Sequence, residues 1–206
     1  MAQRESGYAR QERDLYETPA WVTKALIRGC LHEWDLRMVR LAIPSPTIWE
    51  PAAGGGQIAQ ALDASGFRVH ATDLAGRNGS PLTQDFLSLL EAPPEIRAIV
   101  TNPPYALATE FIEQALDMME MRRGLVAMLL KVDFDSACTR AKLFADCKAW
   151  GRKLVLTRRI VWFDKPPEPG KRKSTPSENH AWFVWDWGRR PGPPTIGYDF
   201  ARERAS

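Results

Sequence analysis

The chain has 206 residues, of which 44% are hydrophobic and 26% charged, enough for one domain with a substantial core. These proportions exclude collagen-like, mucin-like and wholly disordered chains. The net charge of +3 conceals a division: residues 1–120 carry 10 Lys and Arg against 16 Asp and Glu, and residues 121–190 carry 16 against 7. An acidic front and a basic back suggest two surfaces with different partners, and nucleic acid is the usual partner of the basic one.

In chain order, residues 1–15 form a polar arm. Thr18-Pro19 reads as a helix start, with Thr18 at the N-cap and Pro19 at the first helical position. The helix is expected over 19–34, with Trp21, Val22, Leu26 and Cys30 on one face. A short strand over 47–49 stops at Glu50-Pro51, Gly54-Gly55-Gly56 makes a tight turn, and 57–64 returns as a helix. A second strand over 67–72 ends at Asp73. The stretch 74–94 is loop-rich, with a turn signal at Asn78-Gly79 and a short element near 85–90. A third strand over 96–101 runs into Asn102-Pro103-Pro104-Tyr105. Helical periodicity over 106–122 is followed by a strand over 125–131, a helix over 136–150, a strand over 153–163 and a strand over 181–187. Strands alternating with helices predict an α/β fold with a mostly parallel sheet, and the last two strands, lacking a helix between them, predict an antiparallel edge pair. The tail over 189–206 reads as irregular.

Three cysteines and three histidines are scattered, without a Cys-x-x-Cys pair, so neither a disulfide framework nor a metal site is expected. Cys30, Cys138 and Cys147 read as buried small hydrophobes on helices. The charged N-terminus has no apolar core of a signal peptide, and the longest clean apolar run, 125–130, is far too short to span a bilayer. A cytoplasmic chain with no membrane partner is expected.

In an open α/β sheet, ligands bind at the carboxyl ends of strands. Glycines at 54–56 let a backbone approach a ligand closely, and the helix start beyond offers free N–H groups. Asp73 could accept hydrogen bonds from two ribose hydroxyls. By itself this also satisfies a loose dinucleotide fingerprint. Asn102-Pro103-Pro104-Tyr105 decides between cofactors. The prolines hold the backbone and donate nothing, so an Asn oxygen and a neighbouring carbonyl give two acceptors, which an exocyclic amino group needs. Engaging both N–H bonds keeps the nitrogen lone pair out of the ring, and Tyr105 offers a face for stacking.

Glu50-Pro51-Ala52-Ala53-Gly54-Gly55-Gly56 followed by Asn102-Pro103-Pro104-Tyr105 resembles the class I S-adenosylmethionine-dependent amino-methyltransferases. The nearest likeness is to small phage- and prophage-type DNA adenine-N6 methyltransferases. Asp14-x-Tyr16-x-Thr18-Pro19 looks like that family's N-terminal cofactor motif. Gln84-Asp85-Phe86 matches the position whose acidic residue contacts the cofactor's adenine amino group, with Phe86 against the ring. The resemblance implies a single Rossmann-like class I methyltransferase domain over 16–188 and S-adenosylmethionine held by Tyr16, Thr18, Pro19, Glu50, Pro51, Ala52, Gly54, Gly56, Asp73, Asp85, Phe86 and Asn102. It implies direct methyl transfer to adenine N6 of a flipped base, with Asn102 and the Pro103 carbonyl gripping the amino group. No cysteine follows a proline, so the nucleophile of cytosine-C5 enzymes is missing.

Lys171, Arg172 and Lys173 lie in a Pro-rich loop expected to reach phosphates near the active-site edge. Ser177-Glu178-Asn179-His180 resembles a late family segment that lines the target pocket, so Ser177, Asn179 and His180 join the nucleic-acid residues, although a lone His before a strand is more often structural. Trp182, Trp185 and Trp187 read as a packing stripe on one face. After Tyr105 too little chain remains for a separate target-recognition domain. Recognition is therefore expected from loops, from a homodimer or from a partner subunit. An RNA base methyltransferase, a protein-glutamine methyltransferase and a binding module without turnover are the alternatives.

Overall fold

The apolar run at 125–130 becomes the centre of a seven-stranded sheet in the computed structural model, which describes residues 17–43, 46–75, 83–162 and 178–199. The strands are β1 (Thr47–Glu50), β2 (Arg68–Ala71), β3 (Ile96–Thr101), β4 (Leu125–Lys131), β5 (Trp150–Leu156), β6 (His180–Asp186) and β7 (Thr195–Asp199), in the order β2-β1-β3-β4-β6-β5-β7. All neighbours pair in parallel except where β6 runs against β4 and β5.

The side-chain alternation of β4 builds two cores. Leu125, Ala127 and Leu129 face a layer formed by α1 (Ala20–Leu26), α2 (His32–Arg40) and α3 (Gln57–Asp63). Val126, Met128 and Leu130 face α4 (Ala108–Glu120). Burial on both faces explains why the central strand reads as an unbroken apolar run.

The N-terminal helix is longer than its sequence pattern predicts, reaching Arg40 through a π turn at Ile27–Leu31. Gly29 lies in that turn, where an added Cβ would sit 2.8 Å from Leu154, and its carbonyl accepts a hydrogen bond from Arg152. The irregular turn therefore lets the helix pack closely on β5 and has a donor for its carbonyl. Thr18 does not cap this helix: Pro19 occupies the N-cap and no side chain caps it.

Three other expectations are corrected. The helix over 136–150 is replaced by 3-10 turns at Phe134–Ser136 and Cys138–Leu143. The connection turns tightly there to bury Phe144 among Trp150, Phe183 and Trp185. Cys138 is exposed and Cys147 half-buried as a result, while Cys30 is buried. The strand expected over 153–163 begins and ends earlier, at 150–156, and is not an edge, because 195–199 pairs beyond it as β7. Finally, Trp182 and Trp185 are three residues apart and lie on opposite faces. Trp182 donates to the Val22 carbonyl (2.9 Å) in one core, and Trp185 to the Leu143 carbonyl (2.6 Å) in the other. No helix among the described residues is long and apolar enough to cross a membrane.

Candidate active site

The ends of β1, β2, β3 and β4 and the start of the antiparallel β6 share one edge of the sheet, with Lys131 opposite His180. At the end of β1, Gly54 (φ 52°) and Gly56 (φ 78°) adopt left-handed conformations that a Cβ would strain. Gly56 is the N-cap of α3 and has no side chain with which to cap it. Glu50 reaches across instead: its Oε2 accepts the Ala59 N–H at 2.8 Å. Burial, opposed by that hydrogen bond and reinforced by Asp73, raises the Glu50 carboxyl well above the usual range. One of the helix-start N–H groups expected to face a ligand is thus satisfied internally. Pro51 is buried and Ala52 half-buried against the core.

Asp73 braces the same loop. Its Oδ2 accepts the Gly54 N–H (2.9 Å) and its Oδ1 the Ala75 N–H (2.8 Å). Glu17 crosses the loop, accepting from Gln57 Nε2 at 3.0 Å, with its Oε1 2.8 Å from where a Gly55 Cβ would stand. Asp85 is exposed and accepts from the Leu87 N–H at 3.1 Å. Phe86, expected against the cofactor ring, is a core residue 2% exposed, packed edge-on to Trp49 and against Phe111. Its neighbour Gln84 has a buried Oε1 with no partner among the described residues.

On the adjacent strand end, Asn102 donates from Nδ2 to Thr18 Oγ1 at 3.3 Å. Thr18, 4% exposed, is thus part of the site although it caps nothing, and Pro19 is the half-buried hinge into the helix. Pro103 is buried, and Pro104 leads into a 3-10 turn at Tyr105–Leu107. The Tyr105 ring stacks on His180 (centroids 6.2 Å, interplanar angle 23°), and Trp162 meets His180 edge-on at 5.2 Å. His180 is 1% exposed, and burial pushes its imidazole down to about 4. It stands behind Tyr105 rather than in solvent. Asn179 is exposed and accepts Arg159 Nε at 3.0 Å. Tyr16, Lys171, Arg172, Lys173 and Ser177, like the turn at Asn78-Gly79, lie outside the described residues. The sequence reading missed Glu17 and Trp162, which are neighbours of motifs rather than motif residues, and named Gln84 only as the start of Gln84-Asp85-Phe86, without a role of its own. Among the described residues no group of His, Cys, Asp and Glu could hold a metal ion.

No protein-family model matches the chain, and no curated protein sequence does. Among solved structures it is similar to PH1948 from Pyrococcus horikoshii, a candidate RNA methyltransferase, with TM-score 0.57 and 14% identity over 84% of this chain and 87% of that one. The 23S rRNA methyltransferase ErmE matches with TM-score 0.49 and 17% identity, over 88% of this chain and 72% of that one. A dimethyladenosine transferase from Plasmodium falciparum matches with TM-score 0.49 and 12% identity, over 84% and 62%. The likeness to PH1948 establishes the architecture: this is a Rossmann-like class I methyltransferase fold with a mixed parallel and antiparallel sheet. S-adenosylmethionine is the cofactor that such a fold implies. The residues present suit it, since an unpartnered buried acceptor at Gln84 matches an adenine amino donor and the left-handed glycines allow close backbone approach.

Proposed function

We propose that the chain is an S-adenosylmethionine-dependent amino-methyltransferase acting on the exocyclic N6 of adenine in nucleic acid. The observation that carries this reading is the placement of Asn102-Pro103-Pro104-Tyr105 on the strand next to the glycine loop, with the Asn102 amide nitrogen engaged by Thr18. Thr18 orients the amide so that its oxygen is the acceptor offered to substrate. Asn102 Oδ1 and the Pro103 carbonyl then take the two N–H bonds of the target amino group and localise its lone pair. When bound, the cofactor supplies the electrophilic methyl group. No strong base is needed, because the proton leaves after attack. Within the cofactor site, Glu50 and Asp73 hold the glycine loop in shape, and Tyr16 and Asp85 are assigned to cofactor contact.

A duplex base must be flipped out to reach this edge, at a cost of a few kcal/mol. Stacking on Tyr105, worth about 1–3 kcal/mol in single-strand binders, offsets part of it. The segment carrying Lys171, Arg172, Lys173 and Ser177 leaves the described chain at Trp162 and re-enters at Glu178, both beside the Tyr105–His180 stack. That placement supports phosphate contact by the segment, alone or completed by a second subunit.

DNA is the polymer favoured by the four-motif resemblance, and RNA is favoured by the likeness to PH1948. Labelled S-adenosylmethionine supplied with DNA, RNA and protein separately distinguishes them. N6-methyladenine in DNA or RNA is the expected product. Label in glutamine, with none in nucleic acid, overturns the reading.

A further inference from the structure

The opposite edge of the sheet, where β4 begins and β6 ends, carries a cavity of about 520 Å³ between the C-terminal turns of the N-terminal helix and the start of β5. It is far from the catalytic edge: β4 and β6 each run seven residues between the two, roughly 20 Å at about 3.3 Å per residue. Five arginines line it, at positions 37, 40, 152, 189 and 190, against two acids, Glu33 and Asp186.

Local pairing leaves most of that positive charge uncompensated. Arg37 is held bidentately by Asp186 at 2.5 and 2.7 Å. Arg152 donates to the Gly29 carbonyl and to Thr195 Oγ1 (3.2 Å) and forms a long ion pair with the exposed Glu33 at 3.9 Å. Arg189 donates to the carbonyls of Gly192 (2.5 Å) and Pro193 (3.2 Å). Those carbonyls orient the Arg189 guanidinium without neutralising it. Arg40 and Arg190 make no ion pair or hydrogen bond among the described residues.

A second observation points the same way. Trp34, 2% exposed and part of the cavity wall, has a buried Nε1–H with no acceptor among the described residues, and the Arg37 Nε–H is likewise without one there. Buried donors without acceptors are costly unless a ligand supplies the acceptors. A lining rich in donors, with a surplus of guanidinium forks, matches a polyanion with several oxygens. The volume is within the range of small-ligand sites.

We propose that this cavity is a phosphate-binding site, separate from the methyl-transfer edge. The phosphates come from a nucleic-acid backbone held at a second point or from a free polyphosphate. A backbone touching both edges would have to run along the sheet, about six nucleotide rises of 3.4 Å. The inference does not rest on the catalytic reading, because binding is measured without methyl transfer.

The test is the double variant Arg40→Ser/Arg190→Ser, whose side chains are exposed and unpaired, so that an unchanged thermal midpoint confirms its fold. Fluorescence anisotropy follows a labelled DNA or RNA oligonucleotide across a salt series, and calorimetry follows inorganic triphosphate. Backbone binding predicts at least tenfold weaker oligonucleotide affinity at low salt, with the log–log salt slope reduced by about 1.4–1.8 for two lost contacts. Free-polyphosphate binding predicts loss of the triphosphate signal with an unchanged oligonucleotide slope. Either outcome supports the site and names its source. A double variant matching the wild type with both probes, or a wild type that binds neither, overturns it.

Discussion

Glu50 and Gly56 divide a task that one residue performs at most helix starts. Gly56 supplies the left-handed turn and cannot cap, so the Glu50 carboxyl at the end of β1 accepts the third N–H of α3. Asp73 performs the same service for Gly54, which ties β2 to the loop. The motif residues are thus partly scaffold, holding the loop that would receive the cofactor. Asn102 has a different standing, since its amide meets Thr18 across 84 positions of sequence. That pairing was not legible in the sequence, where Thr18-Pro19 has the local signature of a helix cap and nothing local reports a partner so distant. On the proposed mechanism, Asn102→Ala should lower turnover about a hundredfold or more while leaving cofactor affinity within a few fold, as expected of a group that serves mainly the transition state. Single-turnover kinetics with a thermal-shift control measure this; near wild-type turnover removes Asn102 from the role.

At the scale of elements, the parallel half of the sheet could be read from the sequence because β1 and β3 are buried, largely apolar runs that end in motifs and β4 is an unbroken apolar run. The later elements were less legible, for physical reasons. Residues 136–150 have helix-forming composition, but the backbone there is set by burial of Phe144 in an aromatic cluster. Residues 195–199 lack an apolar pattern because an edge strand buries little, and β7 is held by its ladder to β5 and by the Arg28–Asp199 ion pair at 3.0 Å. The tryptophans of β6 turn on the period-two rule: an odd separation puts Trp182 and Trp185 in different cores. Trp182→Phe and Trp185→Phe each leave a small cavity and a carbonyl without its donor, a loss of about 1–3 kcal/mol apiece. Because the two sites share no core, their effects should add to within about 0.5 kcal/mol in chemical denaturation of the double variant. A coupling above about 1 kcal/mol would mean that the two layers are not independent.

For the whole molecule, the sequence correctly shows a basic back half, but the fold distributes it. Arg152, Arg189 and Arg190 line the far edge, while Lys131 and Arg159 stand near the Tyr105–His180 stack, where Glu178 and Asn179 meet them. Two buried groups at the candidate site have opposite consequences for the pH dependence of stability. His180 is kept neutral by burial; Glu178 opposes that, Lys131 adds to it, and the Tyr105 and Trp162 rings are uncharged. Its imidazole titrates at about 4 when folded and near 6.5 when unfolded. The unfolded chain therefore takes up the proton first as pH falls, and stability present above 6.5 is lost on the way down to 4. Glu50, facing Asp73 and the Ala59 N–H, has its carboxyl raised, so the folded chain holds a proton that the unfolded chain releases near 4.5. Its contribution is greatest below 4.5 and is lost as pH rises. Between pH 5 and 7 the two groups oppose one another. Removing the acid by Glu50→Gln should expose the histidine alone, with stability falling by about 2 kcal/mol from pH 7 to pH 5. Removing the base by His180→Phe should reverse the slope, so that this variant becomes more stable towards pH 5. Urea denaturation of both variants at the two pH values gives the signs directly. A Glu50→Gln variant with the same stability at pH 5 and 7 would show that His180 is not held neutral behind Tyr105.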